Sequence, residues 1–549
     1  MSVQYFVLIL IFCFIVAPVL MAFRSSSRLK ETVKERFGKP PSAKMDIKSI
    51  SAYWEELSEH GEDPHVIDDI TWNDLDMDGI FRRTNACHTS AGEEYLYALL
   101  HRPQLKPILL RDREKLMEYL DQNPDMRIKL QLLLMKTGKS DYNGVSSILY
   151  HPETKKLKYP KLYTAMSWLP LLFAASAVFF WPVGLAGFIL SVIANGITYY
   201  TVKNRIMSEL AGMRYVSSML WCCKKICALH EGDFGGYKER IAADFQPFKR
   251  LSGKISGIMQ RGFSDLDFFA EYARIVFLTD IKKYNKVMQA IGKDTPALRR
   301  LYESLGEMDA AVSILSFRKS LSCFAVPEFT DEGKMDFEEI YHPLLTEPVP
   351  NSALIDNDCI VTGSNASGKS TFIKAMAING ILAETVHTCC ARRFRMKPAL
   401  IVTSMATRDN IVGGESYFVA EIKSLKRIID KVDSVFCVCF IDEILKGTNT
   451  VERIAASAAV MKYLHGRESL SIVASHDIEL TEILKGIYDN YHFREQITEN
   501  GILFDYKLKE GPSNTRNAIK LLEFMAYDGS ITREAERLAK EYTENKKWY

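Results

Sequence analysis

The chain has 549 residues, enough for roughly three or four domains, each burying a core of its own. Lysine and arginine number 70 against 68 aspartate and glutamate, a formal charge of +2, so no global field draws the protein to nucleic acid and any such contact needs a local basic patch. The 11 cysteines lie mostly in apolar runs (Cys13, Cys222-Cys223, Cys437, Cys439) without paired Cys-x-x-Cys spacing, which reads as buried thiols of a reducing compartment rather than structural zinc.

Val3 to Phe23 is a 21-residue apolar run without a charge, the length of a helix that crosses a bilayer. Nothing basic precedes it, whereas Arg24, Arg28, Lys30, Lys34 and Arg36 follow, so the positive-inside rule predicts an N-terminus outside and the remainder in the cytoplasm. A cleaved signal peptide is the competing reading, but the basic n-region and a small-x-small cleavage site are both missing. Residues 24–70 read as a linker with a short helix. The Asp74, Asp76, Asp78 spacing matches the start of a calcium loop, yet no glutamate stands at the closing position, and a solvated cap or turn is the expectation. Residues 71–162 carry apolar positions at helical spacing, the first half of a helical core.

Tyr163 to Tyr200 contains no charged residue over 38 positions. One helix of that length would span about 57 Å, nearly twice the hydrocarbon thickness, so two passes with a turn near Trp181-Pro182 are predicted at 163–200, with a buried soluble hairpin as the alternative. Lys155, Lys156, Lys158 and Lys161 before it and Lys203 and Arg205 after it place both ends in the cytoplasm. The expectation is a multi-pass protein of the cell membrane touching lipid through three apolar spans. Residues 201–324 return to amphipathic helix. Beyond Pro327 the pattern changes to short strands and loops, and 325–549 reads as a nucleotide-binding domain.

That domain opens on Cys359-Ile-Val361, an apolar run leading into Gly363-Ser-Asn-Ala-Ser-Gly-Lys-Ser-Thr371 and then a helical pattern. Strand, glycine-rich turn and helix are the context of a phosphate-binding loop. Backbone N–H groups of Gly363, Ser364, Asn365, Ala366, Ser367, Gly368, Lys369, Ser370 and Thr371 surround phosphate oxygens, Lys369 reaches the terminal phosphates and Ser370 ligates Mg²⁺. Ser434 to Glu443 is a second apolar run ending in two carboxylates, the form of a buried parallel strand with a metal-handling tip. Asp442 is assigned to Mg²⁺ and Glu443 to the attacking water. A third run, Ser471-Ile-Val-Ala-Ser-His476, puts His476 at a strand end as a sensor of the terminal phosphate. Gly413-Gly-Glu-Ser416 heads a further helix, and its backbone N–H groups are candidates for a phosphate contact.

With these residues in view, the sequence resembles the MutS family of ATPases. The phosphate loop is similar to that family's Gly-Pro-Asn-Met-Gly-Gly-Lys-Ser-Thr, and Asp442-Glu-Ile-Leu-Lys-Gly-Thr-Asn-Thr450 to its Asp-Glu-Ile-Gly-Arg-Gly-Thr-Ser-Thr. Ala474-Ser-His-Asp-Ile-Glu-Leu480 resembles Ala-Thr-His-Tyr-x-Glu-Leu, Tyr341-His-Pro343 resembles Arg-His-Pro, and Gly414-Glu-Ser-Tyr-Phe418 resembles Gly-Arg-Ser-Thr-Phe. With less force, Arg83 to Leu96 and Leu305 to Ala311 resemble the family's helical core and returning lever helices. The resemblance implies an α/β P-loop ATPase domain behind an all-α core, ATP and Mg²⁺ as ligands, and a homodimer in which Ser416 acts in trans on the partner's terminal phosphate.

The departures bear on function. About 60 residues separate the first apolar run from the core-like segment, too few for the family's mismatch-reading and connector domains, and no Phe-x-Glu wedge can be placed. The apolar hairpin stands where DNA-clamp helices would interrupt the lever, and Glu415 replaces the signature arginine. The expected function is a membrane-anchored dimeric ATPase whose closure moves helices and membrane segments against a partner in or beyond the membrane. The alternative is a membrane-tethered protein that binds or senses mismatched DNA. The basic clusters Lys155 to Lys161 and Arg392, Arg393, Arg395, Lys397 have blander readings, a positive-inside flank and a solvated helix end.

Overall fold

The computed structural model describes residues 17–545 apart from 43–44, 62–64, 141–143, 230–233, 251–264, 365–366, 406–416, 447, 499–500, 513–518, 520–521, 523 and 526. The chain divides into two units. One comprises residues up to 63, Phe81–Leu99 and Arg111–Ser320; the other comprises residues 64–80, Leu100–Leu110 and everything from Leu321 onward.

The first unit is helical, and its central element is the helix Thr295–Lys319, buried on nearly every face from Ala310 to Arg318. A helix buried around its whole circumference belongs in the middle of a bundle. Its one buried carboxylate, Asp309, accepts from the backbone N–H groups of His88 and Thr89 and from the Thr89 hydroxyl, capping the start of the helix Ser90–His101 with negative charge. Tyr302 on the same helix donates to Glu94 at 2.6 Å, and burial pushes the Glu94 carboxyl up to about 8.

The uncharged stretch forms a hairpin of the helices Pro160–Ser176 and Trp181–Arg205. Close approach is possible because Gly184 faces Ala177 and Gly187 faces Phe173, where a Cβ would clash at 2.3 Å. Asn195, fully buried, donates to the carbonyls of Met166 and Val276, and Tyr199 donates to Asp280. The multi-pass expectation does not stand. Among the described residues, Trp181–Arg205 is the one helix long and apolar enough to cross a membrane. The turn at 177–180 cuts the charge-free run, leaving Pro160–Ser176 with 17 residues and Pro170 inside it; at 1.5 Å per residue it reaches about 25 Å, short of a bilayer core. Ala17–Arg36 is one helix that runs straight into the basic residues, and residues 1–16 of the expected first span lie outside the described residues. A cell-membrane, multi-pass localisation and lipid contacts through three spans are therefore withdrawn.

The second unit is α/β. Strands β1 (Glu328–Phe329), β2 (Met335–Ile340), β3 (Asn351–Ile355) and β5 (Arg393–Met396) form a four-stranded sheet in the order β1-β5-β2-β3. Strands β4 (Cys359–Thr362), β6 (Leu400–Ser404), β7 (Cys437–Asp442), β8 (Ser469–Ser475), β9 (Asp489–Thr498) and β10 (Gly501–Glu510) form a six-stranded sheet in the order β10-β9-β4-β8-β7-β6. All pairings in the larger sheet are parallel except β10 with β9. Every residue of β4, β6 and β7 is buried, as continuous apolar strands covered on both faces require. The helix Lys369–Thr385 packs across β6, β7 and β8.

Two local expectations change. The Arg392 to Lys397 cluster is not a helix end but includes β5, and its arginines are paired: Arg393 with Asp336 and Glu338, Arg395 with Glu328, Arg392 with Glu339. Asp74 is only partly exposed. It accepts from the Thr403 hydroxyl and the Met405 N–H, tying the helix Asp69–Asp74 to the end of β6, while Asp76 accepts from the Gly79 N–H and Asp78 from the Trp72 indole.

Candidate functional site

Strands β4, β7 and β8 all end at one edge of the sheet, and their C-terminal tips carry the motif residues, where ligands of open α/β sheets sit. Past Thr362 the chain turns at Gly363, whose φ of 146° only glycine adopts readily and where a Cβ would lie 2.9 Å from the Phe493 carbonyl oxygen and from Ser367 Oγ. Gly368, at φ 105°, precedes the helix Lys369–Thr385, so the helix N-terminus opens at the end of the loop. Asn365, Ala366 and Ser416 lie outside the described residues.

Lys369 is 5% exposed, and its Nζ donates to the carbonyls of Gly363 (2.7 Å) and Ser364 (2.9 Å) and stands 3.3 Å from His476 Nε2. Burial lowers its pKa to about 8, against the opposing pull of Glu443, Asp442 and Glu495. Asp442 is the last residue of β7 and is buried. Beyond it Glu443 and Leu445 both take φ of +58°, a left-handed turn that non-glycine residues adopt at a cost of about 1 kcal/mol each. The turn is held by Glu443 N–H on the Ala474 carbonyl and by Lys446 N–H on the carboxylate of Glu421. Glu443 Oε1 lies 2.8 Å from His476 Nε2 and Oε2 lies 2.9 Å from Lys446 Nζ. The hydrogen bond from His476, with the charge of Lys446 behind it, holds the Glu443 carboxyl at about 2. The three separate motifs thus meet at His476, which is within reach of both Lys369 and Glu443.

Lys369 and Glu443 line a cavity of about 500 Å³, together with Ser364, Gly368, Ser370 and Thr371. Leu345, Val349, Phe372, Phe493 and Tyr506 give it apolar and aromatic walls. His342 of the Tyr341-His-Pro343 motif lines it too; burial and the charge of Lys374 lower its pKa to about 4, so the ring is neutral, and its Nδ1 accepts from the Leu344 N–H. Ser367 Oγ is buried with no partner among the described residues, a hydroxyl left over for a ligand. A glycine-flanked loop with an orphaned hydroxyl, a desolvated lysine and two carboxylates fits a nucleoside triphosphate and a divalent ion.

The comparisons agree on the family. Residues 359–543 match the model of MutS domain V. The MutS protein homolog 4 of Homo sapiens is 29% identical over 276 residues, covering 47% of this chain and 29% of that protein. The C-terminal part of the chain carries a MutS domain V. The mouse MutS protein homolog 4 is 30% identical over 278 residues (47% and 28%), and the DNA mismatch repair protein MutS of Listeria innocua 25% over 280 (48% and 32%). The chain spans under a third of the length of each of these relatives.

Three residues of the site carried no role in the sequence. Lys446 lay inside a quoted motif, but only the tight turn after β7 brings its ammonium back to Glu443. Glu495 and Tyr506 come from the β9–β10 hairpin, far along the chain from the phosphate loop, and no short pattern marks them.

Proposed function

We propose that the C-terminal unit binds ATP with Mg²⁺ and hydrolyses it, a mismatch-repair-type ATPase. The observation that carries the reading is His476 within hydrogen-bond reach of both Lys369 and Glu443, the latter two lining a cavity that also has aromatic walls. Ser370 and Asp442 are the residues to hold Mg²⁺, which when bound neutralises charge on the phosphate oxygens. Lys369 offers a desolvated cation to the terminal phosphates, where a charge is worth more than in water. Glu443 is ionised throughout the neutral range, so it orients a water as hydrogen-bond acceptor. It takes up the proton only as His476 and Lys446 move off it and its proton affinity rises. The test is Mg²⁺-dependent ATP hydrolysis by the full chain, abolished in Lys369→Ala and in Glu443→Ala. Turnover unchanged in both variants would refute the assignment.

In the same reading two ATPase units pair, Ser416 of one copy completes the site of the other, and closure of the pair moves the helical unit. Mixing inactive Lys369→Ala with inactive Ser416→Ala restores activity if the serine works in trans, because one mixed site then has every part. No recovery would place Ser416 in cis or outside the chemistry. Contact with DNA, including mismatched DNA, is a second reading, favoured by the mismatch repair named in the Listeria relative. The ion pairing of the Arg392 to Arg395 cluster and of Lys155 with Glu209 weighs against it by removing the local patches it needs. A gel shift with matched and mismatched duplex at low salt decides, and absence of binding there removes this reading.

A further inference from the structure

Strand β9 runs parallel to β4 in the register Thr362 to His492. Where β4 gives way to the phosphate loop, β9 carries on beside it. Phe493 and Glu495 are two apart on a strand and so share the face turned to the loop. Phe493 packs on Phe372 of the loop's helix with ring centroids 5.6 Å apart, and its carbonyl oxygen is what bars a Cβ at Gly363. Glu495 is 5% exposed, and its Oε2 accepts from Ser364 Oγ at 2.9 Å. A carboxylate acceptor makes this one of the stronger side-chain hydrogen bonds.

Ser364 is therefore held twice. Its hydroxyl is tied to β9, and its carbonyl receives Lys369 Nζ. A shift of Ser364 shifts the lysine's acceptor with it. The similar motif of the family has proline at this position, which fixes φ through its ring and has no side-chain donor. This chain has serine there and a buried carboxylate facing it.

We infer that Glu495 is a positioning residue for nucleotide: acting through Ser364, it fixes the entrance of the phosphate loop, and with it Lys369, in the shape that receives phosphate. The inference rests on the ATP reading above. It assigns to β9 a part in affinity rather than in the chemical step, since the hydrogen bond of Glu495 goes to Ser364 at the start of the loop. A buried carboxylate that merely satisfies a neighbouring hydroxyl is the plain alternative, and it makes a different prediction for nucleotide affinity.

The experiment uses the full chain and a fluorescent ATP analogue with Mg²⁺, together with KM and kcat for ATP. Ser364→Ala and Glu495→Gln each weaken analogue binding and raise KM about tenfold, the loss expected when a hydrogen bond to a charged group goes. In both variants kcat falls much less than in Glu443→Gln. The double variant binds no worse than the weaker single, because one interaction is removed twice. Ser364→Thr keeps the hydroxyl and recovers most of the loss. Singles that bind as tightly as the parent, losses that add in the double variant, or a threonine variant as weak as alanine each overturn the inference. Should the unmutated chain bind no ATP analogue, the ATP reading itself falls and this inference with it; a parent that binds beside single variants that bind equally sinks only the clasp. Ser364→Ala alters one loop hydroxyl, so it reports even if Glu495→Gln fails to fold.

Discussion

Replacing Lys369 with methionine separates the electrostatic cost of the lysine from its use. Burial pulls its pKa from 10.5 to about 8. At about 1.4 kcal/mol per tenfold change, keeping the charge at pH 7 costs the fold ~3 kcal/mol. The hydrogen bonds to the carbonyls of Gly363 and Ser364 offset about 1 kcal/mol each. Methionine, of similar length and uncharged, should therefore stabilise the protein prepared without nucleotide by ~1 kcal/mol, a rise of about 2–4 °C for a unit of this size. The sign with pH is fixed by the direction of the shift. Between pH 8 and 10.5 the unfolded chain binds more protons than the folded one, so the parent gains stability as pH rises and the advantage of Lys369→Met fades. Thermal melts of both proteins from pH 7 to 10.5 measure this as a shrinking difference in Tm. A difference that stays constant or widens would refute the burial argument, and stabilisation by ATP surviving in the variant would refute the assignment of Lys369 to phosphate.

Glu443→Gln should lower kcat by about 10²-fold or more while the protein still retains ATP, measured by single-turnover hydrolysis beside filter binding. Glu94 is raised to about 8, so its contribution is present in full below its unfolded value of 4.5 and lost as pH climbs through 8. Glu94→Gln should flatten the fall in Tm across that window, and parallel curves for parent and variant would speak against a proton held on Glu94. Asn351→Ala should weaken ATP-analogue binding several-fold, because its side chain bonds both the Tyr506 carbonyl and the Leu508 N–H and so sets where Tyr506 stands; equal affinity in the two proteins would exclude that role. Asn195→Leu, which strips two carbonyls of their donor inside the apolar hairpin, should lower Tm by several degrees in a melt of the full chain.

What was legible in the sequence is what is short-range. A phosphate loop declares itself because glycines, lysine and serine must follow one another within a few residues, and β7 and β8 declare themselves because a strand buried on both faces is a continuous apolar run. The hairpin of helices was legible as a hairpin, but its solvent was not. The absence of charge over 163–200 is equally compatible with several surroundings, and only the position of the turn shows that the run is cut into arms of unequal length, 17 and 25 residues. Charge clusters misled for a related reason. Arg393 and Arg395 look solvated until β2 and β1 bring Asp336, Glu338 and Glu328 across the sheet, since cross-strand partners have no fixed sequence spacing.

The wall of the site hides in the hairpin for the same physical cause. Glu495 faces Phe504 across the ladder, and the register then slips before Leu508 meets Phe493. The slip leaves extra residues on β10, and Tyr506, at φ +51°, is one of them. A bulge bends its strand and re-aims a side chain, and here it turns the tyrosine back over the phosphate loop, 3.1 Å from where a Cβ on Gly368 would be. The hairpin thus holds the loop at both ends, Glu495 at Ser364 and Tyr506 at Gly368. Neither grip can be read from the residues alone, because moving the bulge by one position would send Tyr506 to the opposite face while leaving every motif intact. The chemistry of the site is written in three short segments of the sequence, whereas its shape depends on the register of two strands at the edge of the sheet.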